Sequence, residues 1–257
     1  MIGSDILASV KKIKRKLNIK GLIFLLLVLY FIGFFLYTLF TMPIKNIYIE
    51  NTTLLTDNEI IEVAHLKNYP SWIGTSKKTV EKQIKVLPLV KTVNVKKKWW
   101  GKLIIHIEEA KPLFYNRNTN KVVLSNKKEV DNSYQYVGIP TLINYVPNDL
   151  LNSFITSFSK VDSDIIKMIN EIEYDPDISQ DITIDAERFL LRMNDTNHVY
   201  VNVINMKKLN NYKEIFAYLE DQRGTILLDS YSSDNGVVGL FTPFTSNTGD
   251  SGKDGEN

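Results

Sequence analysis

The chain of 257 residues contains no cysteine and only three histidines. The first absence excludes a disulfide framework, a thiol nucleophile and any cysteine-based metal site. His65, His106 and His198 lie far apart and in no metal-ligand spacing. His106 alternates with Ile105 and Ile107, which puts it on the outer face of a strand. No G-x-S-x-G elbow, Walker loop or G-x-G-x-x-G turn occurs. Asp175-Pro176-Asp177, with Asp181 and Asp185, is acidic but lacks the glycine of a calcium-binding turn, and reads as a solvated loop. A serine–lysine dyad is defined by geometry and a lowered lysine pKa, which spacing does not reveal. The expectation is a protein that is not an enzyme and has no catalytic residue, metal, cofactor or small-molecule substrate.

Charge is missing from one stretch. Gly21 through Ile44 carries none, and Lys20 and Lys45 bracket it. As a helix this run spans roughly 36 Å, against about 30 Å of bilayer hydrocarbon. Its downstream end, Thr38 to Pro43, lacks the small-residue pattern of a cleavage site. The stretch reads as an uncleaved signal anchor over 21–42. Residues 1–20 hold six basic side chains and Asp5, a net charge of +5. By the positive-inside rule this segment is cytoplasmic. The whole chain is +2, so the remainder is acidic, and the basic pI describes the membrane flank rather than a nucleic-acid surface. Residues 11–20 can also meet anionic lipid headgroups.

Beyond the anchor, Pro43 stops the helix. Ile47 and Ile49 share one face of a short strand, and Thr56 with Glu59 forms a capping box that opens a helix. A second helix starts near Ser76 and stops before Pro88. Strands follow from Val90 to Lys98 and from Leu103 to Glu109, joined by a hairpin turn at Trp99-Trp100-Gly101-Lys102. Strand, helix, helix, strand, strand makes a small α+β domain over 43–112.

Leu87-Pro88-Leu89-Val90-Lys91-Thr92-Val93-Asn94-Val95, Lys98-Trp99-Trp100 and Leu103-Ile104-Ile105-His106-Ile107 resemble the membrane-proximal domain of the FtsQ/DivIB cell-division proteins. That domain is of the POTRA type. The family commonly closes it with Glu-Arg-x-Pro; here Glu109-Ala110-Lys111-Pro112 lacks the arginine.

From Leu113 the pattern becomes β-rich. Leu113–Tyr115 and Lys121–Leu124 suggest a hairpin, Val130 and Tyr134–Val137 a further strand, and Ile139-Pro140-Thr141-Leu142 is similar to a family element. Helices near Asp149 and Asp164 precede strands at 171–174, 181–185, 189–193 and 198–203. A helix from about Asn210 to Asp221 is expected to end with Gly224 as its cap. A last strand, Thr225, Ile226, Leu227, Leu228, Asp229, Ser230 and Tyr231, closes a β domain over 113–231. Residues 232–257 turn to Ser, Gly, Asn, Asp and Thr and are expected to be disordered.

Lys96-Lys97-Lys98-Trp99-Trp100-Gly101-Lys102 is the one charged aromatic cluster. Its tryptophans either cover the small domain's core or touch a membrane or protein surface. The resemblance implies a single-pass septal scaffold with extracytoplasmic C-terminal domains. It binds bitopic division proteins of the FtsL and FtsB/DivIC type, connects to septal peptidoglycan synthesis, and uses the last strand, Thr225 to Tyr231, as its partner-binding edge. A transport-associated chaperone and a membrane-anchored hydrolase are the other classes compatible with the architecture.

Overall fold

A computed structural model describes residues 18–132, 136–179, 182–220, 222–229 and 240–244. The first element, α1 (Ile19–Thr41), buries none of its residues against the rest of the protein. Among the described residues it is the one helix long and apolar enough to cross a membrane. Its exit is short and tied down. The Ser71 hydroxyl donates to the Phe40 carbonyl, Trp72 N–H donates to the Met42 carbonyl at 2.7 Å, and Ile44 N–H to that of Pro70 at 2.9 Å. Two carbonyls at the helix end, those of Phe40 and Met42, are thus satisfied by the domain that follows.

That domain runs β1 (Asn46–Glu50), α2 (Asp57–Val63), α3 (Lys77–Ile84), β2 (Val90–Lys98) and β3 (Lys102–Glu109). Thr56 and Glu59 close the expected capping box on α2. β3 lies in the middle, antiparallel to β2 and parallel to β1, in a three-stranded sheet. Val80 and Ile84 of α3 and Ile60 of α2 pack onto Val95, Leu103, Ile105 and Ile107. His106 sits on the outer face beside Glu50, 2.8 Å away. The carboxylate of Glu109, at the end of β3, accepts N–H groups of Thr53, Leu54 and Leu55 at 2.8–3.0 Å. It closes the loop between β1 and α2 over the sheet.

The tryptophans of the hairpin tip do not cover this core. Trp99 and Trp100 are 82% and 78% exposed, and Trp72 takes the packing position instead. With Trp100 at φ +70° and Gly101 at φ +76°, the turn bends the tip back onto the chain leaving α1.

Ala110, fully buried with Val122 and Leu124, leads from β3 straight into the larger domain. The position at which the family commonly has arginine thus holds a buried alanine. The strands are β4 (Pro112–Asn116), β5 (Lys121–Leu124), β6 (Glu129–Asp131) and β7 (Thr141–Leu142), then α4 (Asn148–Phe158) and α5 (Ser163–Ile166). They continue as β8 (Ile169–Tyr174), β9 (Asp177–Ser179), β10 (Ile182–Asp185), β11 (Arg188–Met193) and β12 (His198–Asn202). A 3₁₀ turn (Met206–Asn211), α6 (Tyr212–Tyr218), β13 (Gly224–Leu227) and β14 (Leu240–Pro243) complete the described chain. Nine strands form one sheet in the order β14-β13-β12-β11-β8-β7-β4-β5-β6, and β9 pairs with β10 separately. Phe154 and Phe158 of α4 stack on each other and meet Phe114 edge-on, and Phe154 packs on Phe189 with centroids 4.3 Å apart. Asn126, in the β5–β6 turn, donates its amide to the Pro88 and Val90 carbonyls and so joins the two domains. The fold is α+β throughout.

Three expectations are corrected here. Val130 lies in β6, but Tyr136 and Val137 lie in a bend and turn, and Val137 is 81% exposed; Tyr134 and Gln135 lie outside the described residues. Gly224 does not cap α6. Glu220, at φ +46°, makes the reversal after the helix, and Gly224 opens β13. The tail is not devoid of structure, because Leu240–Pro243 pairs antiparallel with β13. The apolar residues Leu240, Phe241 and Phe244 are too few for order on their own, but the sheet supplies them with backbone partners and an apolar face. Residues 232–239 and 245–257 lie outside the described part.

Candidate partner-binding surface

The last strand is positioned from underneath by a buried polar network. Tyr212, at the start of α6, is fully buried, and its hydroxyl donates to the Asp195 carboxylate at 2.8 Å. It accepts from the Asn197 amide at 3.2 Å, and Asn197 in turn accepts the N–H of Gly224 at 2.9 Å. Burial first, opposed by the Asn197 amide and reinforced by Asp195, drives the Tyr212 phenol far above its ordinary range. It is therefore a permanent hydrogen-bond donor that fixes where β13 begins.

The other end of the strand is held at Asp229. The Asn202 and Asn205 amides donate to its carbonyl at 3.2 and 3.1 Å. Its carboxylate, pushed up chiefly by burial, faces the Arg188 guanidinium at 4.0 Å. Arg188 also reaches the Asp177 carboxylate at 3.1 Å, donates to the Asp175 carbonyl, and stacks on Tyr200. Asp175 and Asp177, read as part of a solvated loop, are thus Arg188's counter-charge. Asp177 opens β9, Asp185 ends β10 and accepts from the Asn202 amide, and Asp181 lies outside the described residues. A cavity of about 450 Å³ opens beside it, lined by Asp177, Asp185, Arg188, Asn202 and Asp229. Among the described residues no group of three His, Asp or Glu side chains is placed to hold a metal ion.

Between these anchors β13 runs parallel to β12, with Leu228 N–H on the Tyr200 carbonyl at 2.8 Å. Ile226 and Leu228 are buried, whereas Thr225, Leu227 and Asp229 are half-exposed. Ser230 and Tyr231 lie outside the described residues. Contrary to expectation, β13 is not the sheet edge. Phe244 N–H donates to the Arg223 carbonyl at 2.9 Å, and by the alternation of an antiparallel pair Thr225 and Leu227 present their backbone to β14. Phe241 packs on the main core, and the Phe244 ring meets that of His198 edge-on at 5.1 Å. A glycine is required opposite: a Cβ on Gly224 would stand 2.3 Å from the Thr242 carbonyl oxygen. The outermost backbone is now that of Phe241 and Pro243, and Pro243 has no N–H to offer. A four-residue strand ending in proline is a blunted edge. Nothing in the sequence pattern pairs residues 240–243 with 224–227; the glycine is the only local sign of that close approach.

Residues 42–110 match the family model described as POTRA domain, FtsQ-type. The chain is 23% identical over 226 residues to the cell division protein DivIB of Bacillus anthracis, covering 84% of this chain and 82% of that one. It is 24% identical over 225 residues to the cell division protein DivIB of Brevibacillus brevis, covering 83% of each. A solved structure, the major extracytoplasmic domain of the trans isomer of DivIB from Geobacillus stearothermophilus, matches with TM-score 0.33 and 17% identity, covering 44% of this chain and 96% of that one.

Proposed function

We propose that this chain, a member of the FtsQ/DivIB family and with it a cell-division protein, is a bitopic scaffold of the bacterial division machinery. Its basic N-terminal segment is cytoplasmic, α1 crosses the cell membrane once, and both folded domains stand on the extracytoplasmic side at the septum. It performs no chemistry. It holds bitopic division proteins of the FtsL and FtsB/DivIC type, and through them connects to septal peptidoglycan synthesis.

The observation that carries this reading is the construction of the sheet's last strands. β13 is anchored at both ends by buried polar contacts, yet its outward backbone is covered by only four residues, Leu240–Pro243. A partner strand that replaces β14 gains pairing with the outward backbone of Thr225 and Leu227. Backbone pairing supplies affinity in this mode, and pockets for alternate side chains supply specificity. The partner-binding segment is therefore Thr225–Tyr231, exposed by strand exchange rather than by a vacant edge.

Depletion in the native organism tests the reading. Filamentous or unseparated cells are the expected result. Normal division accompanied by accumulated, unprocessed exported protein would overturn it in favour of a transport or processing role.

A further inference from the structure

The β2–β3 hairpin tip is bound to the exit of the membrane helix. Lys45 and Asn46 N–H both donate to the Gly101 carbonyl, at 2.8 and 3.3 Å. Gly101 is packed so closely there that a Cβ would meet the Pro43 carbonyl oxygen at 3.0 Å. A second tie runs through the rings. Trp99 lies 6.4 Å from Trp72, whose backbone N–H bonds the Met42 carbonyl. Met42 and Lys45 are three residues apart, so the tip is held within about 11 Å of the helix end. The headgroup layer beyond each face of the hydrocarbon is roughly 5–8 Å deep.

What the tip presents suits that layer. Trp99 and Trp100 are among the most exposed large apolar residues outside α1, although the neighbouring core is well filled. Lys98 stands directly opposite Lys102 in the ladder, and Lys96 is exposed on the same strand. Among the described residues no carboxylate lies within ion-pair distance of these three lysines. Like charges directly across a strand pair destabilise it, and two exposed indoles add no core packing. Lys97, stacked on Trp72, adds to the positive field; its amine is held below the ordinary lysine range by burial and by Lys77. Indoles settle at the membrane–water boundary, and lysines beside them attract anionic headgroups.

We infer that the hairpin tip Lys96–Lys102 is a second membrane contact, in which Trp99 and Trp100 enter the headgroup layer of the bilayer crossed by α1 and the lysines around them meet anionic lipid phosphates. The contact needs α1 in a bilayer but no division partner, so it stands or falls separately from the scaffold reading.

Tryptophan quenching in the full chain tests it, with the protein reconstituted into vesicles of phosphatidylglycerol and phosphatidylcholine carrying phospholipid brominated near the glycerol end of its acyl chains. The chain has three tryptophans, so the emission lost in W99F/W100F belongs to the tip. That difference emission is expected to be blue-shifted, strongly quenched by the brominated lipid and shielded from aqueous iodide. Emission typical of water-exposed indole, quenched by iodide and indifferent to bromine, would overturn the inference. K98E/K102E supplies an independent reading. Both positions are exposed, so the fold is retained, and bromine quenching in anionic vesicles at low salt is expected to fall by roughly half or more. Quenching equal to that of the parent chain would remove the role assigned to the lysines.

Discussion

Gly224 lies directly against the backbone of Thr242, and a single added methyl group there would sit 2.3 Å from the Thr242 carbonyl oxygen and 2.6 Å from the Phe241 ring. The residue that begins one strand is thus shaped by the strand that covers it. G224A is expected to loosen β14 before anything else. In hydrogen exchange, the amides of Thr242 and Phe244 should lose protection while those of β8 and β11 keep theirs. Unchanged protection at Thr242 would mean that the approach relaxes without cost.

Ending the chain at residue 239 removes β14 together with the packing of Phe241. Half-burial of one aromatic side chain is worth about 1–2 kcal/mol, which for a domain of this size lowers the melting temperature by several degrees. A chain ending at residue 244 should melt with the parent. Under strand exchange the 239 truncation should also capture more membrane partner per folded molecule, because no internal strand competes. Lost capture by a folded truncation would show that partners use β14 itself.

A proline scan separates the two sides of β13. Ile226 and Leu228 turn their N–H groups to β12, so I226P and L228P should unfold this end of the sheet. Leu227 faces β14, so L227P should leave the main sheet intact and abolish partner capture. Capture by folded L227P would place the binding surface elsewhere.

Glu109 offers a test of the smaller domain. Its carboxylate serves three backbone donors, and E109A leaves all three without their acceptor. The expected loss is about 2–3 kcal/mol, read as a melting temperature lower by roughly 5–10 °C. E109Q keeps one acceptor oxygen and should fall between.

His198 gives the sheet's last strands a pH dependence. Burial first, and then the nearby Arg192, hold its imidazole below the ordinary value, so the unfolded chain binds the proton more readily. The stability it contributes is present above about pH 6.5 and is lost as pH falls through the lower folded value. Melting temperatures of the ectodomain should therefore drop on acidification, and H198N should flatten that part of the profile.

Most of the architecture is written locally. The Thr56 and Glu59 box, the alternation of Leu103, Ile105 and Ile107, and the turn before His198 each declare their element within a few residues. What the sequence hides is contact between distant segments. Gly224 satisfies the local rule for a helix cap, and only Phe241 and Thr242, seventeen and eighteen residues later, give it another purpose. Trp99 and Trp100 look like core residues because aromatics usually are. Their exposure follows from the pairing of β1 with β3, which returns the hairpin tip to Pro43. The segment proposed to bind partners was legible as a strand, but its cover lay in a stretch whose average composition argues against order.

The hydrogen bonds from Ser71 and Trp72 to the last turn of α1 leave no slack between the membrane helix and the domain above it. Helix and domain therefore share one orientation. A change in the tilt of α1, forced by bilayer thickness or by a neighbouring helix, is passed through Ser71 and Trp72 to the domain that carries the three-stranded sheet. Rotation of α1 about its own axis likewise turns the hairpin tip at Gly101, which is bonded to Lys45 and Asn46. Side-by-side packing within the membrane and the facing of the small domain above it then become two readings of a single angle.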